Sequence, residues 1–400
     1  MTLLSRRRAL GAAGASLLAT PAIAQMKQMP GITATEILIG QTMPYSGPAS
    51  SYAPIGHVEV AYTQFINDRG GINGRKIKLL SLDDGYSPPK TLEQTRKLVE
   101  EENVSFIFQP LGTPTSMATR RYLNQKKVPQ LFVGSGATQF GDRESFPWTM
   151  GWQISYQIEG RVYARYILAE KPNAKIAVLY QNDDSGKDFL KGFKDGLGDK
   201  ASMIVAAVSY EPTDPTVDSQ IVQLHSSGAD TLYASSIPKV TAMAVRKVRD
   251  LGWNPLFVIS SVGSSVAAAL APAGLEKSVG LVTGAYLKDP SDPQWADDPG
   301  FKDWLAFMKK YQPGGDLADA SNVYGYSVTQ TLAIVLKQCG EDLSRENIIR
   351  QAANLDIELP LLHKGIRFRT TATDYYGIKK MRLQRFDGKA WVPFGEPVGV

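Results

Sequence analysis

One stretch of sequence decides the fold, Val104-Ser-Phe-Ile-Phe-Gln-Pro-Leu-Gly-Thr-Pro-Thr-Ser-Met-Ala-Thr-Arg120. It opens with an apolar run rich in β-branched and aromatic side chains, which predicts a buried strand that Gly112 ends. Pro114 suits the first position of a helix, with Thr113 as the N-cap. A strand that leads into a helix N-terminus presents N–H groups without partners and a partial positive charge, here beside hydroxyl side chains. The stretch therefore predicts a binding site for an anion.

A second turn of the same kind follows closely. Residues 128–133, Val-Pro-Gln-Leu-Phe-Val, predict another strand, and Gly134-Ser-Gly-Ala-Thr138 is another small turn that carries hydroxyl groups. Either turn alone is more often an ordinary strand-to-helix connection, because hydroxyl caps are common. Two such turns at neighbouring strand ends predict a pocket for a carboxylate.

Length and composition indicate a globular protein of about two domains. The chain has 400 residues, of which 43% are hydrophobic and 21% charged, and a disordered protein would be more polar. The net charge of +5 includes Arg6, Arg7 and Arg8 and falls to +2 without them. Because no arginine-rich stripe or aromatic RNA motif accompanies this small charge, we expect no nucleic acid partner.

The N-terminus predicts an export signal. Ser5-Arg-Arg-Arg8 is a basic segment with a twin-arginine appearance, an apolar stretch runs to Leu18, and Ala22 and Ala24 form an A-x-A cleavage site. The apolar stretch is too short to span a bilayer of about 30 Å. We therefore expect residues 1–24 to be cleaved after Sec or twin-arginine export, and the mature protein to be periplasmic.

Catalytic and metal-binding motifs are missing from the sequence. The single cysteine, Cys339, excludes an intrachain disulfide and a cysteine-based metal site, and the three histidines are widely scattered. G-x-S-x-G, P-loop and H-E-x-x-H motifs are absent. Two S-x-x-K matches, 87–90 and 236–239, contain a proline that spoils the helical turn they would need. We expect no cofactor, no metal and no enzymatic activity.

The alternation of strands and helices predicts a doubly wound α/β fold. Strands are predicted at 36–40, 75–82, 104–108 and 128–133, and a second series at 175–180, 201–208, 229–234 and 256–260, with helices between them. Short antiparallel strands are predicted in the tail, at 365–368, 379–386 and 391–393. Ligands of such sheets bind outside the carboxyl ends of the strands. Two facing rims are thereby predicted, one with Tyr45, Tyr52, Thr113, Gly136 and Thr138, the other with Ser185, Ser236 and Val262.

The sequence resembles the periplasmic solute-binding proteins of the branched-chain amino acid (leucine/isoleucine/valine) type, which are receptors of ATP-driven ABC importers. The resemblance rests on several segments and covers essentially the whole mature chain. These segments are Ile39-Gly40 with Tyr45-Ser-Gly-Pro48, Phe65-Ile-Asn-Asp-Arg-Gly-Gly-Ile-Asn-Gly-Arg-Lys-Ile77, Gly134–Thr138, and Lys175–Tyr180 with Asp183–Gly186. The N-D-x-G-G-I-N-G-R part is specific to the family, not to one ligand.

The resemblance implies two α/β lobes joined by a three-crossover hinge, the type I periplasmic binding protein architecture. The implied N-terminal lobe comprises residues 30–154 and 286–363, and the C-terminal lobe 155–285 and 364–400. The implied function is capture of a small ligand between the lobes and its delivery to an inner-membrane ABC permease by a monomeric protein. Hydroxyls and amides of Thr113, Gly136 and Thr138 would hold the ligand carboxylate, and Tyr52 would pack on the ligand.

The departures from the family pattern concern the ligand. Amino acid binders place an acidic residue where this chain has Val262, so we expect an aromatic or other apolar monocarboxylate. Asp184 remains a substitute partner for an ammonium group, which keeps a branched-chain or other amino acid as the alternative. A ligand-sensing module is a second alternative. Trp152 is expected to line the cleft as a flat apolar wall, with packing in the hinge as the competing interpretation.

Overall fold

The computed structural model describes residues 29–399. The expected export signal, residues 1–24, lies outside the described residues. Within them, one parallel and one mainly parallel β-sheet are surrounded by helices, which confirms the expected two-lobed α/β architecture.

The bounds of the regular elements of residues 29–399 are as follows. In chain order, the strands are β1 (Glu36–Met43), β2 (Lys76–Asp83), β3 (Ile107–Phe108), β4 (Gln130–Val133), β5 (Thr149–Gly151), β6 (Ile176–Gln181), β7 (Ile204–Tyr210), β8 (Thr231–Ser235), β9 (Leu256–Ile259), β10 (Val282–Ala285), β11 (Asp356–Ile357), β12 (Phe368–Arg369), β13 (Lys380–Phe386) and β14 (Trp391–Gly399). The α-helices are α1 (Ala53–Asn67), α2 (Pro88–Arg96), α3 (Thr113–Gln125), α4 (Tyr156–Glu170), α5 (Asp184–Leu197), α6 (Asp218–Ser226), α7 (Pro238–Asp250), α8 (Ala271–Ala273), α9 (Leu275–Ser278), α10 (Pro299–Tyr311), α11 (Ala320–Cys339) and α12 (Arg345–Ala352).

The first sheet has the strand order β2-β1-β3-β4-β5 and is parallel throughout. Its central strands β3 and β4 are completely buried, as expected for a parallel sheet covered on both faces. Helix α3 begins at Thr113 with Gly112 as its N-cap, one residue earlier than the sequence indicated. Gly112 has φ +103°, and this left-handed backbone turns β3 into the helix.

The second sheet has the strand order β14-β13-β10-β9-β8-β6-β7. The strands β6 to β10 are parallel, and the tail adds β13 and β14 as an antiparallel hairpin, in which Phe386 pairs with Trp391. The predicted hairpin of the tail is thus confirmed. Helices α4 and α5 pack closely because Gly160 and Gly192 face the partner backbone; a Cβ at Gly160 would lie 2.6 Å from the carbonyl oxygen of Phe189.

Between residues 29 and 399, the chain passes from one sheet to the other three times, after β5, after β10 and before β13. The boundary expected from the sequence for the third passage is residue 364. Strand β12 pairs with β11, and Phe368 packs edge-to-face on Phe132 of β4 and stacks on Trp152. These aromatic contacts hold β12 beside the first sheet, so we propose that the crossing lies between Arg369 and Lys380.

Candidate ligand-binding site

A cavity of about 150 Å³ lies between the two sheets, at the carboxyl ends of their strands. Residues from the first sheet, the second sheet and the crossing segments all contribute to its walls. The lining consists of Tyr52, Ile55, Tyr86, Gln109, Leu111, Gly112, Thr113, Gly134, Gln153, Tyr156, Gln181, Ser185, Phe189, Tyr210, Ser235, Ser236, Ile237, Pro238, Ser261, Val262, Ser264, Ser265, Ala285, Tyr286, Leu287, Lys288, Asp289, Ala320, Ser321, Tyr324 and Gln384.

The wall contributed by the first sheet is the N-terminus of α3. Thr113 is 2% exposed and lines the cavity, and its Oγ1 lies 2.6 Å from Oγ of Ser135. The turn has no room for a larger residue, since a Cβ at Gly112 would lie 2.5 Å from the ring of Tyr86. The first N–H groups of α3 have no acceptor within the helix. The N-terminus of α3 and the Thr113 hydroxyl can therefore donate hydrogen bonds to an anion at this wall, and the helix end adds a partial positive charge.

Aromatic side chains cover much of the remaining surface. Tyr156 of α4 stacks on Phe189 of α5 at a centroid distance of 3.9 Å, and burial raises the pKa of Tyr156 to about 12. The Tyr210 hydroxyl donates to Oε1 of Gln181 and accepts from the backbone N–H of Ile237. The phenols are therefore neutral at physiological pH, and the cavity combines apolar rings with hydroxyl groups.

The wall contributed by the second sheet is held by a buried carboxylate. Glu159 of α4 accepts hydrogen bonds from the backbone N–H and the hydroxyl of Ser261, at 2.7 and 2.8 Å, and from the hydroxyl of Tyr163. Burial raises the pKa of Glu159 to about 7, against the opposing effect of these donors. Ser261 is thereby fixed, and the next residue, Val262, accepts a hydrogen bond from the Tyr52 hydroxyl across the cleft.

An acidic residue that the sequence did not single out also lines the cavity. Asp289 follows the second passage between the sheets and is 6% exposed. Its Oδ1 accepts from the backbone N–H and the hydroxyl of Ser291. Burial raises the pKa of Asp289 to about 6, so its carboxyl group is still mostly ionised at pH 7. In the sequence, 289–293 has only the signature of a loop, and its position at the cavity depends on the tertiary fold.

The structure brings five of the sequence-predicted site residues to the cavity. These are Tyr52, Thr113, Ser185, Ser236 and Val262. They come from both sheets, as the rule for the carboxyl ends of parallel strands predicts.

Thr138 lies outside the cavity lining, although the sequence placed it in the carboxylate pocket. Its backbone N–H and its hydroxyl both donate to Oδ2 of Asp188, at 2.8 Å each, and Oγ1 is 2.9 Å from Oγ of Ser155. Asp188 belongs to α5 beside the second sheet. The second hydroxyl turn thus binds a carboxylate, but that carboxylate belongs to the protein.

Trp152 is fully buried and does not line the cavity, contrary to expectation. Its ring contacts Tyr286, Tyr324 and Phe368, and its Nε1 donates to Oγ1 of Thr331 at 3.0 Å. The competing interpretation, packing in the hinge, describes the observed position. Trp152 lies behind two tyrosines that do line the cavity.

Three further expected residues also lie outside the cavity lining. A Cβ at Gly136 would lie 2.3 Å from the carbonyl oxygen of Ile154, so this glycine serves close packing and borders a separate hollow of about 10 Å³. The Tyr45 hydroxyl is 2.6 Å from Oγ of Ser81, within the first sheet. Asp184 is exposed at the start of α5 and lies outside the cavity lining.

Within residues 29–399, no group of three or more His, Cys, Asp and Glu side chains is arranged to hold a metal ion. In the same part of the chain, no helix has the length and apolarity needed to cross a membrane.

Two solved structures share this fold over nearly the whole chain. A branched-chain amino acid ABC transporter protein from Thermus thermophilus with bound valine has a TM-score of 0.82 and 14% identity, and the alignment covers 92% of this chain and 98% of that one. A solute-binding protein from R. palustris in complex with 4-hydroxybenzoate has a TM-score of 0.76 and 17% identity, with coverage of 91% and 97%.

Sequence comparison identifies the family. Leu/Ile/Val-binding protein homolog 1 of Brucella suis biovar 1 is 23% identical over 338 residues, which cover 83% of this chain and 86% of the relative. The sequence profile of the periplasmic binding proteins matches residues 36–390, most of the chain. The chain therefore belongs to the periplasmic binding protein family.

Proposed function

We propose that this protein is the periplasmic substrate-binding component of an ABC importer, and that it captures a small carboxylate with an aromatic or other apolar body. One observation carries the proposal: the N-terminus of α3, with Gly112 and Thr113, opens into a cavity to which six tyrosine rings also contribute. In this proposal the closed protein delivers the ligand to an inner-membrane permease.

The carboxylate would bind at the α3 wall. The hydroxyls of Thr113 and Ser135 are hydrogen-bonded to each other at 2.6 Å, and this contact uses only one of their two hydrogens. In the arrangement in which Ser135 donates, the Thr113 hydrogen remains available to a ligand oxygen in the cavity. The helix N-terminus adds a favourable interaction with negative charge. A hydrogen bond to a charged group is stronger than one between neutral groups, so this end would orient the ligand.

The apolar body of the ligand would lie against the aromatic walls. Rings of Tyr86, Tyr156 and Phe189 come from both sides of the cleft. Stacked or edge-on contacts with such rings suit a flat or branched apolar group, and its removal from water would drive binding.

Contacts across the cleft supply the closing step. The Tyr52 hydroxyl donates to the carbonyl oxygen of Val262 at 2.8 Å, and Nε2 of Gln181 donates to the Tyr86 hydroxyl at 3.4 Å. All four residues line the cavity. A ligand that contacts both walls would favour this closed arrangement over an open one, and a permease could then recognise the closed form.

Thr113→Val is the variant that tests the proposal. A thermal-shift screen of aromatic acids, aliphatic acids and amino acids identifies stabilising ligands, because binding raises stability by mass action. Calorimetry with a stabilising carboxylate should then show at least tenfold weaker binding to Thr113→Val. Thr63→Val is the matched control, since Thr63 is also buried, its hydroxyl donates to the Val60 carbonyl oxygen, and it lies outside the cavity lining.

Besides a failure of every carboxylate to bind, two results would contradict the proposal. The first is an affinity for carboxylates that Thr113→Val leaves unchanged. The second is chemical conversion of the ligand, which mass spectrometry of the recovered ligand would detect. Recovery of one unchanged ligand per protein is the expected result.

A further inference from the structure

We propose that Asp289 binds a positively charged nitrogen of the ligand, so that the ligand carries an ammonium-type group in addition to its carboxylate. This inference rests on the proposed function and narrows its class of ligand. The α3 wall and the tyrosines call for a carboxylate and an apolar body, and Asp289 adds the requirement for a positively charged nitrogen.

The first step concerns the Asp289 carboxylate itself. The residue lines the cavity and is more than nine-tenths buried. Its Oδ1 is occupied by the backbone N–H and the hydroxyl of Ser291. Its Oδ2 accepts no hydrogen bond from the residues that the structure describes, and Asp289 is part of the wall of the cavity that a ligand can enter. One lone acceptor therefore remains for a donor in the ligand.

The second step concerns the missing counter-ion. Lys288, the neighbouring cation, directs its Nζ to Oδ2 of Asp298 at 2.6 Å and to the Pro360 carbonyl oxygen at 2.7 Å. The charged groups that act on Asp289 are the carboxylates of Asp292 and Asp319. Within residues 29–399, the groups that donate hydrogen bonds to these two carboxylates are neutral: the backbone N–H and side-chain amide of Gln294 for Asp292, and the Ser321 backbone N–H and Ser265 hydroxyl for Asp319. A buried carboxylate without a counter-ion is unfavourable, and a ligand cation would offset that cost.

The third step concerns the kind of cation. No cluster in residues 29–399 has the composition of a metal site, which favours an organic group. Asp319, behind the cavity, accepts from the Ser265 hydroxyl and the Ser321 backbone N–H, at 2.9 Å each, and both serines line the cavity. Their hydroxyl oxygens can still accept hydrogen bonds. An ammonium has three donors to distribute, and the Asp289 Oδ2 with serine oxygens offers matching acceptors.

This position differs from the one where the sequence suggested a search for an acidic residue. That position, Val262, belongs to the rim of the second sheet and offers only a carbonyl oxygen, which Tyr52 occupies. Asp289 lies on the segment that returns from β10 towards the first sheet. The absence of an acid at Val262 therefore does not exclude a cationic nitrogen in the ligand.

The test uses matched pairs of ligands that differ by one basic nitrogen. The pairs are 4-(aminomethyl)benzoate with 4-methylbenzoate, and leucine with 4-methylpentanoate. In calorimetry at pH 7.5, the wild type should bind the amino member of at least one pair at least tenfold more tightly. Asp289→Asn should weaken binding of that member at least tenfold and change binding of its partner less than threefold.

Asp292→Asn is the control, because Asp292 is in the same loop and similarly buried but lies outside the cavity lining. It should change neither affinity more than threefold. If the wild type binds both members of each pair equally, or prefers those without nitrogen, the inference is overturned and the proposed function stands. Binding of the amino member that survives Asp289→Asn also overturns it. If no carboxylate of any kind binds, the proposed function fails and the inference fails with it.

Discussion

The turn at Thr113 and the turn at Thr138 look alike in sequence and have different roles in the structure. Each follows a buried parallel strand and presents glycine and hydroxyl residues at its carboxyl end. Thr113 lines the cavity, and the one hydrogen bond of its hydroxyl within the described part of the chain is to the hydroxyl of Ser135. Thr138 gives both its N–H and its hydroxyl to Asp188.

The difference shows that local sequence fixes the chemistry of a turn but not its partner. Both turns are suited to a carboxylate, since both combine backbone N–H groups with hydroxyls. Asp188 lies 50 positions after Thr138 and reaches it from a helix of the other lobe. Among residues 29–399, no carboxylate contacts the hydroxyl of the first turn, so this hydroxyl remains available to a ligand.

Of the substitutions considered, we expect the largest change in stability at Trp152, which lies in the core behind the cavity wall. Trp152→Ala should lower the free energy of unfolding by about 3–5 kcal/mol, because it removes a buried aromatic side chain and leaves a cavity. It also leaves the Thr331 hydroxyl without the indole donor. Chemical denaturation monitored by far-UV circular dichroism measures the change.

Trp152→Phe is the control for the core position. It keeps most of the ring contacts with Tyr286 and Tyr324 and should cost clearly less stability than alanine. A Trp152→Ala protein with wild-type stability and abolished ligand binding would instead support the sequence prediction of a wall residue.

A smaller change in stability is expected from the hydrogen bonds between Thr138 of the second turn and Asp188 of α5. In a double-mutant cycle of Thr138→Val and Asp188→Ala, the coupling energy for unfolding should be about 1.5–3 kcal/mol, the range for a hydrogen bond to a charged group. The Gln157 side chain also donates to Asp188, at 2.6 Å, so Asp188→Ala alone should cost more than Thr138→Val alone. Denaturation of the four proteins provides the energies.

Ligand selectivity, measured in the Thr113→Val and Thr138→Val variants, tests which of the two turns binds the ligand carboxylate. Preference for benzoate over benzamide reports how strongly the site recognises a carboxylate charge. Thr138→Val should keep the wild-type ratio of these two affinities, whereas Thr113→Val should reduce it. Equal loss of the ratio in both variants would mean that both turns bind the ligand carboxylate, as the sequence suggested.

The alternation of strands and helices could be predicted from sequence because it depends on local periodicity and turn residues. The position of Thr113 at the cavity could be predicted for the same reason, since a strand, a glycine and the start of a helix are adjacent in the chain. Asp289 could not, because its segment has no periodic pattern and reaches the cavity only through the passage between the sheets. The buried position of Trp152 could not be predicted either, because its ring stacks on Phe368, which is more than two hundred positions away in the sequence.

The smallest effect is expected from the hydroxyl of Tyr52, which joins the two walls. Tyr52→Phe keeps the ring at the cavity and removes only the 2.8 Å hydrogen bond to the Val262 carbonyl oxygen. A neutral hydrogen bond contributes about 0.5–1.5 kcal/mol, so closure should be less favourable and carboxylate affinity about two- to tenfold weaker by calorimetry. Tyr45→Phe is the matched control, because the Tyr45 hydroxyl contacts Ser81 within the first sheet. If Tyr45→Phe weakened binding as much as Tyr52→Phe, contact across the cleft would not explain the loss, since only Tyr52 makes that contact.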